Sequence, residues 1–429
     1  MFFERNSHSE ITSPKDLGYI KQVAISLNRI ASWPVTDSRS KKKYTFLVKR
    51  NVAYILFEAI LLFLQATYVR KYKNTLSFFK MGHTYITLAM TVICLQRLTM
   101  PWLYQYREVT RDFLEKIHLY HHKNKSDYAM KVYSRVENIC IFFTLFIHYE
   151  MYTGILLFNI TPWYKNLKAG MFSFHKTSNG TFEHAMYLEL PFDYLTDFTG
   201  YIFVFILGWV ETYTVASTFC LGDLYLSLIV FHIWGNLKIL KHSLESFPRP
   251  NNQRMTNIER FRYTKEESEY ISILIKKIVN HHRLIMAFMS KTSNTFSFLL
   301  CIYFAFHQII GCILLLECSK LDSEALGKYG PLTVLLFQQL IQISLIFELI
   351  GAQSETLLDS VYSLPWECMG LKNRKLVILF LQNVRAPISL KACGMVPIGV
   401  QTMAAIIKAS CSYFIMLRTF TTNEEMPSG

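Results

Sequence analysis

The stretch MVPIGVQTMAAIIKASCSYFIMLRTF, Met395 to Phe420, decides how the rest of the chain is read. It is apolar and long enough to cross a hydrocarbon core of about 30 Å. Lys408, Ser410, Ser412, Tyr413 and Thr419 make it more polar than a helix surrounded by lipid. A membrane helix turns such groups toward protein or water. We therefore read it as a helix that lines a pore. A polar tail, Thr421–Gly429, follows, and no further domain is expected behind it.

Working outward, the composition fits that reading. The 429 residues are 51% hydrophobic and 15% aromatic, with a mean hydropathy of +0.21. Repeated long apolar runs give the pattern of a multi-span membrane protein. The net charge of +14 would suit nucleic acid, but the basic residues lie between the apolar runs. That distribution belongs to cytosolic loops facing an anionic leaflet, so no nucleic-acid partner is expected. The nine cysteines fall mostly within spans or cytosolic segments, and no disulfide framework is expected. The first apolar run begins near Phe46, so we expect the first span itself, without a cleaved leader, to start insertion.

Seven spans result, an all-α seven-transmembrane architecture. They run about Asn51–Val69, His83–Met100, Glu137–Phe158, Gly200–Gly222, Phe288–Leu316, Gly330–Gly351 and Met395–Phe420. The fourth is expected to continue to about Leu244, and Lys375–Leu381 to form a further helical piece. The organisation expected is a cytosolic segment 1–50, four spans with an outer pocket over 51–234 and a cytosolic linker with anchor helices over 235–287. Spans five and six follow over 288–351, a second anchor region over 352–394, the pore helix over 395–420 and an extracellular tail over 421–429. With the N-terminus inside, the inner segments hold 32 Lys and Arg against 10 in the outer ones. Positive loops stay inside, so the N-terminus is expected in the cytosol and the C-terminus outside. Arg70, Lys71, Lys73 and Lys80 are a local exception. Sequons at Asn179 and Asn159 fall on the outer side; Asn179 is the expected glycosylation site, and Asn159 lies too near the bilayer.

This orientation is opposite to that of a G-protein-coupled receptor. The chain also lacks Asp-Arg-Tyr after the third span and Asn-Pro-x-x-Tyr in the seventh. Signatures of soluble enzymes are absent: no phosphate-cradling Gly loop, no His-Glu-x-x-His, no Gly-x-Ser-x-Gly and no Cys-x-x-Cys. Neither a metal nor a cofactor is expected. His281 and His282 point to different helix faces and suit packing better than a shared metal.

Glu58, Glu150, Glu211 and Lys408 are ionisable groups inside spans, each requiring a partner or water. Each carboxyl is either an interhelical hydrogen bond or part of a site. Around Glu150 the third span reads His148-Tyr149-Glu150-Met151-Tyr152, and His148, Tyr152 and Ile155 share one face at helical spacing. At similar depth lie Thr84, Tyr85 and Leu88 of the second span, Tyr201 and Phe205 of the fourth, and Phe337, Gln338 and Gln342 of the sixth. Together with Tyr149 these would wall an aromatic cavity with a few polar handles, the usual make-up of a small-molecule site. The competing reading is ordinary interfacial aromatic anchoring. In the seventh span Ala409, Tyr413, Met416 and Phe420 form a stripe flanked by Ser412 and Thr419. Met416 followed by Thr419 fits a hydrophobic gate and a wetter mouth; packing through small residues is the alternative.

Several segments together resemble the insect odorant receptors: Leu190-Pro-Phe-Asp193, Asn280-His-His-Arg-Leu284, Tyr362-Ser-Leu-Pro-Trp366, Ala392-Cys-Gly-Met-Val-Pro397 and Ser412-Tyr-Phe414. The likeness covers the whole chain in length, topology and motif order. It implies a subunit of a heterotetrameric, odorant-gated, non-selective cation channel, assembled with the shared co-receptor Orco in the dendritic plasma membrane of olfactory neurons. The implied partners are Orco, a volatile odorant, permeating cations and membrane lipids. It places the odorant cavity among helices two, three, four and six, and the gate, by alignment on Ser412-Tyr413, at Met416. The segment between spans four and five lacks Orco's long insertion, so a tuning subunit is implied. The gustatory-receptor ending Thr-Tyr…Gln-Phe is only half met, which leaves a gustatory-type channel as the alternative, with a metabotropic chemoreceptor behind it. Lys408 and Arg418 depart from a simple cation pore and are expected to turn toward neighbours or headgroups.

Overall fold

The computed structural model describes residues 12–34, 41–76, 78–172, 180–250, 262–319, 323–386, 388, 390–394 and 396–424. Ten helices are described: α1 (Gly18–Arg29), α2 (Lys41–Tyr72), α3 (Phe78–Thr99), α4 (Tyr104–Asp112), α5 (Asp127–Lys168), α6 (Phe198–Glu245), α7 (Lys265–Cys318), α8 (Ser323–Tyr362), α9 (Leu371–Val384) and α10 (Val400–Glu424). By length and composition α2 and α5 to α8 are able to cross a membrane, and α3 with α4 makes a sixth, broken span bent by 70°. The bend follows Pro101, which opens the short turn Met100–Trp102 because it has no N–H to continue the ladder of α3. The apolar part of α10 is Val400–Met416.

The arrangement follows from how apolar each helix is around its circumference. α6 is hydrophobic all round, and 89% of its most apolar window is buried, so it is the axis of the bundle. The corresponding window of α2 is 22% buried, and α2 lies at the periphery. Lipid tails are as apolar as Leu, so hydrophobicity alone cannot hold such helices together; close packing and polar contacts must. Gly235 of α6 lets Leu119 and Val136 approach, since a Cβ there would stand 2.5 Å from Leu119 Cδ1. The helix ends are set locally. Ser126 Oγ accepts from the Ala129 N–H (3.1 Å) to start α5, and Thr264 with Glu267 forms a capping box for α7.

One polar clamp ties α3 to α6. The Arg97 guanidinium donates to Asp223 (2.7 Å) and to the carbonyls of Thr218 and Phe219, and it lies over the Phe219 ring at 4.5 Å. Gly222 leaves the room it needs, because a Cβ would meet Arg97 Nη1 at 3.0 Å.

Three departures from the sequence reading have physical causes. The N-terminal segment, expected only as a cytosolic stretch, contains a helix that joins the core. α1 buries Tyr19, Ile20, Val23 and Leu27, and Tyr19 Oη sits 2.7 Å from His118 Nε2 and 3.0 Å from His232 Nε2. Backbone N–H groups of Tyr120 and Leu119 donate to the Nδ1 atoms of these two histidines. Both Nε2 atoms therefore carry the proton, and Tyr19 Oη accepts from both. Second, α5 is longer than the third span, because its polar turns continue above and below the apolar run. Third, α10 starts at Val400, not Met395: Val396–Pro397 pairs antiparallel with Lys391–Ala392, and Cys393 and Gly394 adopt positive φ in the turn. At its other end α10 runs to Glu424, into what was expected to be tail.

His281 and His282 do diverge: His281 Nε2 lies 3.0 Å from Asn236 Oδ1, while the His282 ring meets Phe380 edge-on. Among the described residues no group of side chains could hold a metal ion.

Candidate ligand cavity and pore helix

Between α3, α5, α6, α7 and α8 lies a cavity of about 180 Å³. Each wall follows helical spacing: His83, Ile86, Thr87 and Met90 on α3; Glu150, Met151, Gly154 and Ile155 on α5; Glu211, Thr212, Val215 and Phe219 on α6; Leu332, Leu335, Leu336 and Gln339 on α8. Gln65 of α2 and Phe306, Ile310 and Leu314 of α7 complete it. The walls are chiefly aliphatic, with carboxyl and amide groups at a few points.

The segment between α5 and α6 closes one end. Ala185 and Met186 line the cavity, and the Ala185 carbonyl accepts from His83 Nε2 (2.7 Å). Asn166 at the end of α5 pins the segment through both backbone groups of Glu183, each at 2.8 Å. Tyr194 Oη accepts from the Leu188 N–H and donates to its carbonyl. His184 is buried beneath, with Nε2 donating to the Tyr194 carbonyl at 3.1 Å.

Burial pushes the His184 imidazole down to about 4, against smaller upward effects of that hydrogen bond and of Glu183. Its pKa in the unfolded chain is about 6.5, so the unfolded state takes up more protons in between. The stability due to neutral His184 is present above about pH 6.5 and is lost as pH falls toward about 4. We expect acidification of the solution bathing this segment from pH 7 to 4.5 to speed hydrogen exchange at residues 183–195. His184→Gln should remove most of that pH dependence, and an unchanged profile in the variant would refute the assignment.

Of the ligand-contact residues picked from sequence, Ile155 lines the cavity and the rest lie outside its lining. Relative to that lining, the other residues lie on rotated faces or neighbouring turns of the same helices. Thr84, Tyr85 and Leu88 sit one residue out of phase with His83, Ile86, Thr87 and Met90. His148 turns away toward α1, with Nε2 3.0 Å from Ser26 Oγ and Nδ1 against the Thr144 carbonyl. Tyr149 and Tyr152 are 73% and 43% exposed on the outside of α5. Tyr201 stacks on Phe182 (4.4 Å), and Phe205 stacks on Tyr201 in turn, so both hold the closing segment. Phe337 covers Gly311 of α7, and Gln338 donates to Gln342 at 2.9 Å.

The acidic residues are where sequence reasoning saw a signal without assigning it. Glu150 is 8% exposed, lines the cavity and has no hydrogen-bond partner at either carboxyl oxygen. Glu211 also lines it: Oε1 accepts from Thr91 (3.0 Å), and Oε2 has no partner. Glu58 stands fully buried beside Glu211.

α10 packs one face, Ile406 and Ser410, against the bundle; Ser410 Oγ donates to the Gln308 carbonyl at 3.2 Å. Lys408, Ser412, Tyr413, Met416 and Thr419 are on its exposed side. Lys408 shares a helical face with Ser412, Ile415 and Thr419, so turning it aside would turn them too. Tyr413 and Met416 lie on the adjoining stripe, 50% and 48% exposed. The first turn of α10 is held by Glu348 of α8, which accepts from the Val400 N–H at 3.1 Å and suits the positive end of the helix dipole. Asn179 lies outside the described residues. Asn159 is buried, its amide donating to the Ile155 carbonyl, and is closed to a glycan.

A bundle of long apolar helices around a mostly aliphatic cavity is the architecture of a helical membrane protein with an internal pocket. The family profile described as 7tm Odorant receptor matches residues 77–411. Among curated relatives, the chain is 24% identical over 177 residues to odorant receptor 22b of Drosophila melanogaster, covering 40% of this chain and 43% of that one. It is 22% identical over 239 residues to odorant receptor 10a of the same organism, 54% of each chain. The chain thus spans about half the length of these relatives or less. The solved olfactory receptor OR5 of Machilis hrabei superposes with a TM-score of 0.75 at 14% identity, covering 93% of this chain and 97% of that one. The same receptor in complex with eugenol also has a TM-score of 0.75. The chain belongs to the insect odorant receptor family. Its fold is the all-α, multi-span membrane bundle of the solved olfactory receptor.

Proposed function

We propose that the chain is a tuning subunit of an odorant-gated, non-selective cation channel that works with the Orco co-receptor in the plasma membrane of olfactory neurons. One observation carries this reading furthest: the helices that wall the cavity also hold α10. α8 contributes Leu335, Leu336 and Gln339 to the cavity and, further along, Glu348 to the start of α10. α7 contributes Phe306, Ile310 and Leu314 to the cavity while Gln308 and Gly311 receive Ser410. A ligand that fits the cavity better with α7 and α8 in one arrangement shifts the position of α10 toward that arrangement. Ser412, Tyr413, Met416 and Thr419 would then face the pore, with Met416 closing it by dewetting. In this reading the N-terminus is cytosolic, the C-terminus and Asn179 are outside, and residues 235–287 and 352–394 anchor the subunits to one another.

The test is recording from cells expressing the chain with Orco. Volatile-evoked cation currents that survive blockade of G-protein cycling support the reading, and currents abolished by that blockade defeat it. An epitope after Gly429 should be labelled on intact cells. Met416→Ala should raise current in the absence of ligand at least severalfold, measured against surface protein. Unchanged basal current would place the gate elsewhere.

A further inference from the structure

The cavity described above is largely aliphatic, with a few carboxyl, amide, hydroxyl and imidazole groups, and among the described residues no Lys or Arg lines it. Two of those polar groups are carboxyls. Glu150 is more than nine-tenths buried, and neither of its oxygens has a partner. Its polar neighbour Gln338 donates one amide hydrogen to Gln342 and keeps the other within reach of Glu150. Glu211 has one oxygen satisfied by Thr91 and shares a carboxyl–carboxyl contact with Glu58. Arg97, a buried arginine further along α3, is already committed to Asp223 and to two carbonyls. A buried polar group normally finds a hydrogen bond, and a carboxyl in a membrane interior normally faces a counter-charge or water. Here, among the described residues, the lining supplies Glu150 with no counter-charge, and Gln338 is its one polar neighbour.

We infer that the cavity selects ligands bearing a basic nitrogen, which Glu150 binds as an ammonium, with Glu211 as a second carboxyl of the same lining. This rests on the reading of the cavity as the ligand site and names the class of ligand it takes. An amine reaching the cavity as the free base accepts the carboxyl proton of Glu150, leaving an ammonium–carboxylate pair. No net charge is brought into the hydrocarbon, and the pair lies where its hydrogen bonds are strong. A carboxylate brings a net charge and meets no Lys or Arg in the lining, so it is rejected, whereas an alcohol donates one neutral hydrogen bond and binds less well. The size is consistent with one small ring or a short branched chain: the cavity is about 180 Å³, and one of about 150 Å³ holds benzene.

The probes are three molecules of one shape: 2-phenylethylamine, 2-phenylethanol and phenylacetate. Their binding to the detergent-purified full-length chain is measured by calorimetry at pH 7. The amine is expected to bind at least tenfold more tightly than the alcohol, with no phenylacetate binding. Glu150→Gln should weaken the amine at least tenfold while leaving the alcohol within threefold; alcohol binding also reports that the variant is folded. Glu211→Gln should have a smaller effect in the same direction. An amine that binds no better than the alcohol, or binds not at all, overturns the assignment, as does an amine preference that survives both Gln variants. If Glu150→Gln fails to fold, the selectivity of the unmodified chain still decides. Leu335→Trp, which fills the cavity, separates the two readings. If it leaves amine binding intact, the cavity is not the ligand site; if it abolishes binding but the unmodified chain shows no amine preference, only the ligand class is wrong.

Discussion

Arg97→Leu is expected to lower stability by about 3–5 kcal/mol, enough to abolish delivery of most of the protein to the cell surface. The reason is the state in which it leaves Asp223. The pair is buried, with side-chain exposures of 5% and 7%, and the second oxygen of Asp223 has no hydrogen-bond partner. Removing the guanidinium frees two carbonyls and strands a carboxylate, and the loss of packing on Phe219 adds to that. Arg97→Leu combined with Asp223→Leu removes both charges together and should recover a large part of the loss. The comparison is made by thermal unfolding in detergent and by surface labelling. A single variant as stable as the parent, or a double variant worse than the single, would show that the clamp does not hold α3 to α6.

Gly200→Val is expected to cost about 3 kcal/mol, the upper end of what overpacking costs. A Cβ at this position would stand 2.2 Å from the Asp193 carbonyl oxygen and 2.8 Å from the Tyr194 Cα. Both are backbone atoms of the segment that closes the cavity, and no rotamer change relieves the clash. Gly200 also donates its N–H to Asp197, the cap of α6, so the start of the helix cannot shift without losing that bond. Gly208→Ala, two turns along the same helix, is the control. Its Cβ would meet neighbours at 3.7 Å or more, and Ala favours the helix, so that variant should be neutral or slightly more stable. Equal unfolding temperatures for the two variants would show that the segment following Leu190-Pro-Phe-Asp193 does not pack tightly on the start of α6.

What the sequence determined by itself is the set of helices, their order and the family. Each apolar run reports, residue by residue, whether hydrocarbon will accept it, and that energy needs no knowledge of neighbours. Proline and glycine marked the breaks for the same reason: the bend after Pro101 and the end of α8 before Pro365 are consequences of local backbone chemistry. Four of the helices that line the cavity, α3, α5, α6 and α8, carry polar or aromatic groups at one depth in the sequence; α7, which adds Phe306, Ile310 and Leu314, gave no such signal.

Helical phase was decided by the tertiary structure. Thr84 and His83 are about 100° apart on one helix, and nothing local says which of them meets α5. Tyr149 and Tyr152 look like ligand contacts in sequence and face outward because Glu150, Met151 and Ile155 take the inward side. Arg97 and Asp223 are distant in sequence, and neither reveals the other until α3 and α6 pack. The burial of α1 had a signal, the spacing of Tyr19, Ile20, Val23 and Leu27, but its partners His118 and His232 come from separate parts of the chain. The hairpin ahead of α10 moves the helix start because Val396 and Pro397 pair back onto Lys391 and Ala392, a two-residue ladder too short to read in advance. Periodicity names the faces a helix has; the chemistry of the neighbouring helices decides which of them becomes the site.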